Sequence, residues 1–207
     1  MTAPFGNIKS VYGEVTGKKI KAATQCFNYI ILDELHKHGI ESWVAGGSLR
    51  AFFENELKSN VDVDVYFPDE NRHSEAVDIF KHLPKLRQTE NSITYKIKGR
   101  PIDFVGPPNI FDTPVKTLQN FDFTVCAAAI DGEKLYVHDM FFDDLKNKRL
   151  RVINLKEGIA SGIMIMRRMQ KYIRKGYIAD NDTLQAIINF ISVANKKIEV
   201  KKEWSSY

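Results

Sequence analysis

With 207 residues, the chain can bury roughly two-thirds of its unfolded surface and needs no disulfide staples; Cys26 and Cys126 read as free thiols of a reducing compartment. Hydrophobic residues make up 43% and charged residues 27%, no apolar run reaches membrane-spanning length, and the start, "MTAPFGNIKS", lacks the apolar core of a signal peptide. These features point to a cytoplasmic globular protein with no membrane partner, and a net charge of +4 is too modest to argue for nucleic-acid binding by itself.

In residues 19–39, Ile20, Ala23, Phe27, Ile30, Ile31 and Leu35 fall at helical spacing, and Gly39 suits a left-handed cap. His36 and His38 sit in the last turn, where positive charge suits the helix dipole. "SWVAG" reads as a short strand, and "SLRAFFENEL" as a helix starting at Ser48. "VDVDVYF" alternates strictly and predicts a strand. A helix is expected over "HSEAVDIFKHL", ended by Pro84, followed by strands "SITYKI" and "RPIDFVG" that turn at residues 98–99. "FDFTVCAAAID" and "KLYVHD" read as two more strands, turning at residues 131–132. After about residue 156 the strand signals vanish, and two helices are expected. The sequence thus predicts an α+β fold, with a mixed sheet and flanking helices over residues 1–152 and a helical segment over 153–207.

The chemistry concentrates between Trp43 and Phe67. On a strand, Asp62 and Asp64 share one face, about 7 Å apart along the chain, while Val61, Val63 and Val65 enter the core. Two such carboxylates can flank a pair of divalent cations about 3.5–4 Å apart, and all-oxygen ligation favours Mg²⁺. Alone, the same pattern also describes an ordinary strand with one wet face. Gly46, Gly47 and Ser48 fall where a strand gives way to a helix, a geometry that lets backbone N–H groups approach a phosphate. Arg50, in the first helical turn, opposes the dipole and implies a compensating anion. A tight turn with a serine cap explains these residues equally simply. Asp103, between Ile102 and Phe104, joins the other two carboxylates if its strand lies beside "VDVDV". A third carboxylate there can hold a second metal and take the proton of an attacking hydroxyl.

G-G-S, then D-x-D after thirteen intervening residues, then a carboxylate on a following strand, resembles the polymerase-β-type nucleotidyltransferase superfamily. "FDFTVCAAAIDGEKLYVHDMFFDDLKNKRLRVI" and "IMIMRRMQKYIRKGYI" resemble the head and neck of bacterial poly(A) polymerases and CCA-adding tRNA nucleotidyltransferases. The resemblance runs from about Trp43 to Ile178. It implies a catalytic head over residues 1–152 and a neck over 153–207. It also implies a phosphate-binding turn at Gly46, Gly47, Ser48 and Arg50, metal ligands at Asp62 and Asp64, and a third acidic position at Asp103. Asp122 and Thr124 then fall in the nucleotide-binding D-F-T. Departures stand beside the matches. Asn120 and Phe121 replace the family's paired arginines, Cys126 replaces its asparagine, and Ala160, Ser161 and Met164 replace the residues that read the base.

The charge distribution completes the reading. From Lys146 to Lys175 there are ten Lys or Arg and one acid, Glu157, and Lys196, Lys197, Lys201 and Lys202 follow. Arg167, Lys171 and Arg174 share one face at helical spacing, a surface for a polyanion, although a solvated basic helix face has the same pattern. The expected activity is Mg²⁺-dependent transfer of a nucleoside monophosphate (NMP) from a nucleoside triphosphate (NTP) to an acceptor hydroxyl. That acceptor is an RNA 3′ end first, and a protein or small molecule second. A degenerate nucleotide-binding module without catalysis is the competing reading.

Overall fold

The computed structural model describes the backbone of residues 8–11, 17–155 and 159–204, and the side chains of residues 17–155 and 162–192. In chain order, β1 (Ile8–Val11) precedes α1 (Gly17–Phe27), which runs through a π-helical turn at Asn28–Leu32 into α2 (Asp33–Lys37). The single helix expected over residues 19–39 is therefore interrupted, although Ile20, Ala23, Phe27, Ile30, Ile31 and Leu35 are all buried as its pattern requires. Gly39 has φ +71°, the left-handed conformation expected of a helix-ending glycine. Next come β2 (Trp43–Ala45), α3 (Gly47–Phe53), β3 (Val63–Tyr66) and α4 (Glu70–Phe80). Asp69 caps α4 by accepting from the Arg72 N–H, so this helix starts before the expected "HSEAV".

β4 (Lys85–Gln88), β5 (Ser92–Ile97) and β6 (Arg100–Val105) follow, then the short α5 (Pro114–Leu118), capped by Thr113 with proline in its first turn. A 3₁₀ turn at Thr124–Cys126 leads into β7 (Ala128–Ile130), β8 (Leu135–His138) and α6 (Phe141–Lys146). The chain closes with β9 (Arg149–Leu150), α7 (Ile159–Ile173), β10 (Ile178–Ala179) and α8 (Asn181–Trp204). Two expectations are corrected here. D-F-T belongs to a turn rather than to the following strand, and a strand, β10, does occur late in the chain, pairing in parallel with β9. The D-F-T turn has its own backbone partners: Thr124 N–H donates to Arg151 O, and Ile153 N–H donates to Asp122 O.

The main sheet has eight strands in the order β1-β8-β7-β2-β3-β6-β5-β4. All its pairings are antiparallel except β3 with β6. That parallel pair needs a crossover, which α4 and the β4–β5 hairpin supply. Period-two alternation sends Val63, Val65, Ile102 and Phe104 to the face covered by α1 to α4, where they join Phe27, Leu35, Leu49 and Phe80 in the main core. The opposite face holds a smaller cluster of Trp43, Ala45, Leu118 and Ala129, with Tyr66, Phe121 and Tyr136 against it. The Trp43 indole N–H donates to Thr117 Oγ1 at 3.1 Å, fixing α5 over this end of the face. The C-terminal helices are anchored to the rest of the chain through Tyr172 and Tyr177. The Tyr177 hydroxyl donates to Glu54 at 2.6 Å, and Glu54 also pairs with Arg50 and Lys148.

The D-F-T turn depends on one buried acid. Asp144 is fully enclosed, accepts from the Thr124 hydroxyl at 2.6 Å and from Arg151 Nε at 3.2 Å. Asp144→Ala should leave both donors without their partner and cost on the order of 3 kcal/mol, read as a lower midpoint with unchanged slope in urea denaturation.

Candidate active site

Register assembles the site. Asp64 on β3 lies directly beside Asp103 on β6, Asp103 lies beside Thr94 on β5, and Thr94 beside Arg87 on β4. On its other side Asp64 neighbours Ala45, two residues before the first residue of α3. One transverse row of the sheet thus carries, in order, a cation, a hydroxyl, two carboxylates and the turn into α3. Asp103 is 8% exposed; its Oδ1 accepts from Thr94 Oγ1 at 2.6 Å and its Oδ2 from Arg87 Nη2 at 3.0 Å.

Asp62 stands just outside the strand, exposed, and still close enough to act on Asp64 electrostatically. The carboxyl of Asp64 is pushed up to about 7. Burial is the largest cause, the neighbouring charges of Asp103 and Asp62 add to it, and Lys171 and Arg87 partly offset it. Among the described residues, no three His, Cys, Asp or Glu side chains converge into a ready cation cage. Asp62 and Asp64 suit a hard divalent cation, because their clustered charge lacks full compensation and their oxygens are the donors such ions take. Asp103 does not share that freedom while it is bonded to Arg87.

The turn beside the row is built for close approach. Gly46 has φ +91°, a conformation that L side chains rarely adopt, and an added Cβ would meet the Phe121 ring at 3.4 Å and Asp64 Oδ2 at 3.6 Å. A Cβ on Gly47 would meet nothing within 4 Å, so the outer side of the turn is open. The helix starts at Gly47, with Gly46 as its cap and no side-chain cap bond, which corrects the start expected at Ser48. Ser48 is buried, and its hydroxyl has no hydrogen-bond partner.

Several expected ligand contacts are occupied internally. Arg50 is 4% exposed and pairs with Glu54 and, at 3.3 Å, Glu56, so the anion that compensates it belongs to the protein. Burial works against its charge, yet Glu54, Tyr172 and Glu56 hold it more firmly protonated than usual. Thr124 is fully buried against Asp144, and Asp122 pairs with Arg168 of α7. Cys126 is buried with its thiol 2.6 Å from the Tyr172 hydroxyl, and burial pushes that thiol up. Both cysteines are free. Phe121, where the resembled family has arginine, packs edge-on against Tyr66 with ring centres 6.2 Å apart. An aromatic wall therefore borders the turn.

The basic face of α7 divides. Arg168 pairs with Asp122 and the charge of Lys171 acts on Asp64, yet both remain exposed, as are Arg167 and Arg174. Met164 is exposed as well; the side chains of Ala160, Ser161 and the tail lysines lie outside the described residues. Arg87 and Thr94 escaped the sequence reading. The alternation of "SITYKI" signals Thr94, whereas β4 is exposed throughout and shows no alternation.

Residues 17–148 match the model of the Gabija anti-defense 2 (Gad2) family. The chain belongs to that family. It is 28% identical over 147 residues to Gabija anti-defense 2 of Bacillus phage SPbetaL7, a stretch covering 66% of this chain and 34% of that protein. The chain thus spans about a third of the length of its curated Gad2 relative. In fold it is similar to a CCA-adding enzyme in complex with CTP, with a TM-score of 0.61 and 18% identity over 92% of this chain and 48% of the other. It is also similar to the Thermotoga maritima CCA-adding enzyme complexed with tRNA, with a TM-score of 0.57 and 20% identity over 81% of this chain and 42% of the other. The fold expected from the sequence, that of a nucleotidyltransferase head with helices after it, is therefore present. The sequence family is Gad2 rather than the CCA-adding enzymes themselves. No described helix is long and apolar enough to cross a membrane.

The perturbed carboxyl gives a direct test. Folded Asp64 holds its proton up to about pH 7, while an ordinary carboxyl releases it near 3.8, so this group makes stability fall as pH rises between those values. In metal-free protein, Asp64→Asn should raise the melting midpoint clearly at pH 8 and hardly at pH 4, flattening the pH profile measured by thermal denaturation.

Proposed function

We propose that this Gad2-family chain is a nucleotidyltransferase unit that moves an NMP from an NTP to an acceptor hydroxyl of the Gabija system, releasing pyrophosphate. The observation that carries this reading is the row in which Asp64 and Asp103 stand side by side next to the open glycine turn at Gly46 and Gly47. In this reading the triphosphate lies along the turn, where Gly47 leaves space and the first N–H groups of α3 face outward. Ser48 is buried behind the turn, and Arg50 with Glu54 fixes α3 rather than touching phosphate.

Asp62 and Asp64 would hold Mg²⁺, two ions in the full form of the reading, with Asp103 as the third ligand. When bound, Mg²⁺ supplies charge neutralisation of the triphosphate and polarisation of its α-phosphorus. In this reading Asp103, once released from Arg87, would take the acceptor proton as the acceptor oxygen bonds to the α-phosphorus and the bond to the β-phosphate oxygen breaks. Asp122 and Thr124 shape the nucleotide side of the site indirectly, by bonding to Arg168 and Asp144. Base choice then rests on shape and on the Phe121 and Tyr66 rings, because Met164 offers no hydrogen-bonding template.

The family name supports an acceptor within the Gabija system, and fold alone does not fix chemistry. An RNA acceptor is the second reading, favoured by the exposure of Arg167, Lys171 and Arg174 on one helix face.

Incubation with Mg²⁺, α-labelled NTPs and purified Gabija proteins should label one component. Asp62→Asn and Asp64→Asn should each lower that labelling by at least about a hundredfold while the fold persists; full labelling by the Asp64→Asn protein would sink the reading. Arg167→Ala/Arg174→Ala, which spares Lys171 and its influence on Asp64, separates the acceptors. Under the Gabija-protein reading it should leave labelling within about twofold of wild type at physiological salt. Salt-sensitive loss of RNA labelling in this variant would instead favour the RNA reading.

A further inference from the structure

We propose that Arg87 is a built-in counter-ion of the carboxylate row: it holds Asp103 in an ion pair that a divalent cation must break before Asp103 can join Asp62 and Asp64. This inference rests on the reading of Asp62 and Asp64 as cation ligands, and it assigns to one edge-strand side chain the control of cation affinity. The register of β4 against β5 shifts between Lys85 and Arg87, and Arg87 then lies opposite Thr94. From there its guanidinium crosses Thr94 to Asp103 Oδ2, at 3.0 Å. Thr94 holds the other oxygen at 2.6 Å, so both oxygens of the innermost carboxylate are occupied by the protein's own donors.

The two partners differ in freedom. The Asp103 side chain is 11% exposed and fixed by Thr94, whereas the Arg87 side chain is 53% exposed on a strand with no buried residue. Arg87 can therefore swing into solvent without disturbing the core, and Asp103 cannot move to follow it. The charge of Arg87 also reaches Asp64, so its departure and the arrival of a cation affect the same two carboxylates. A purely structural role, tying down the edge of the sheet, makes the opposite forecast. Removing Arg87 would then loosen the edge and leave cation binding equal or weaker.

The experiment is Mn²⁺ binding to the full chain without nucleotide, followed by electron paramagnetic resonance and calorimetry. An opposite charge at this range changes a carboxylate's affinity for a proton by roughly one to three decades. Arg87→Ala and Arg87→Gln should therefore bind Mn²⁺ about tenfold more tightly than wild type, or gain a site that wild type lacks. Arg87→Lys, which keeps the charge, should stay near wild type. In Arg87→Ala/Asp103→Asn the gain should vanish, because no carboxylate remains to be freed. Binding that is abolished by Asp64→Asn but equal or weaker in both uncharged Arg87 variants would overturn the counter-ion role and leave the cation site standing. Absence of Mn²⁺ binding in every variant would overturn the cation reading itself.

Discussion

The organisation of this protein turns on a single pairing, the parallel register of β3 with β6 that sets Asp64 beside Asp103. In a sheet whose other pairings are antiparallel, that contact needs a crossover, and α4 with the β4–β5 hairpin provides it. The valines and aromatics on the reverse of the same strands fill the core, so the carboxylates face outward because their neighbours face in. Slipping either strand by one residue would exchange the faces and bury charge in the core. Hydrophobic packing on one side thus holds together, on the other, two like charges that would not associate in water.

The cost of that juxtaposition is visible in the groups around it. Burial and mutual repulsion raise the proton affinity of Asp64, while Arg87 from the sheet edge and Lys171 from α7 reduce the effect. Arg168 of α7 neutralises Asp122 at the D-F-T turn. Part of the positive charge late in the chain thereby complements the acidic face. A second charged cluster, Arg50 with Glu54, Lys148 and Tyr177, couples α3 to the C-terminal helices and is largely enclosed. Enclosed pairs of this kind specify geometry more than they add stability.

The nucleotidyltransferase fold and Gad2 family membership meet in this chain without either fixing its chemistry. Scaffolds of this kind host many activities, and the site decides among them. Here the glycine turn and the paired carboxylates agree with phosphate chemistry. The residues at the positions where the resembled family contacts nucleotide differ in character from that family's, as the sequence already indicated. Phe121 and Tyr66 border the turn with aromatic rings, and Cys126 is sealed against Tyr172. The chain also spans about a third of its curated Gad2 relative, so the activity and partners of such a longer protein stand as proposals.

What the sequence determined by itself were the elements with strong periodicity and the residues whose faces that periodicity sets. The alternation of "VDVDVYF" put Val63 and Val65 inside and Asp64 outside, and the flanks of Asp103 did the same for β6. Helical spacing found α1, α3, α7 and α8, and Gly46 announced a turn because its backbone conformation excludes side chains. Tertiary structure alone decided which charge meets which. The spacing of Arg50 and Glu54 is local, but only tertiary burial, which removes competing water, made Glu54 the partner of Arg50 in place of the expected phosphate. Thr124 met Asp144, twenty residues away, and Arg168 met Asp122 at forty-six. The same holds for Arg87, whose strand is exposed on every residue and carries no pattern; only the shifted register of β4 against β5 directs it to Asp103. Periodicity is a local property of the chain, whereas an ion pair between distant residues depends on register and packing that no local pattern encodes.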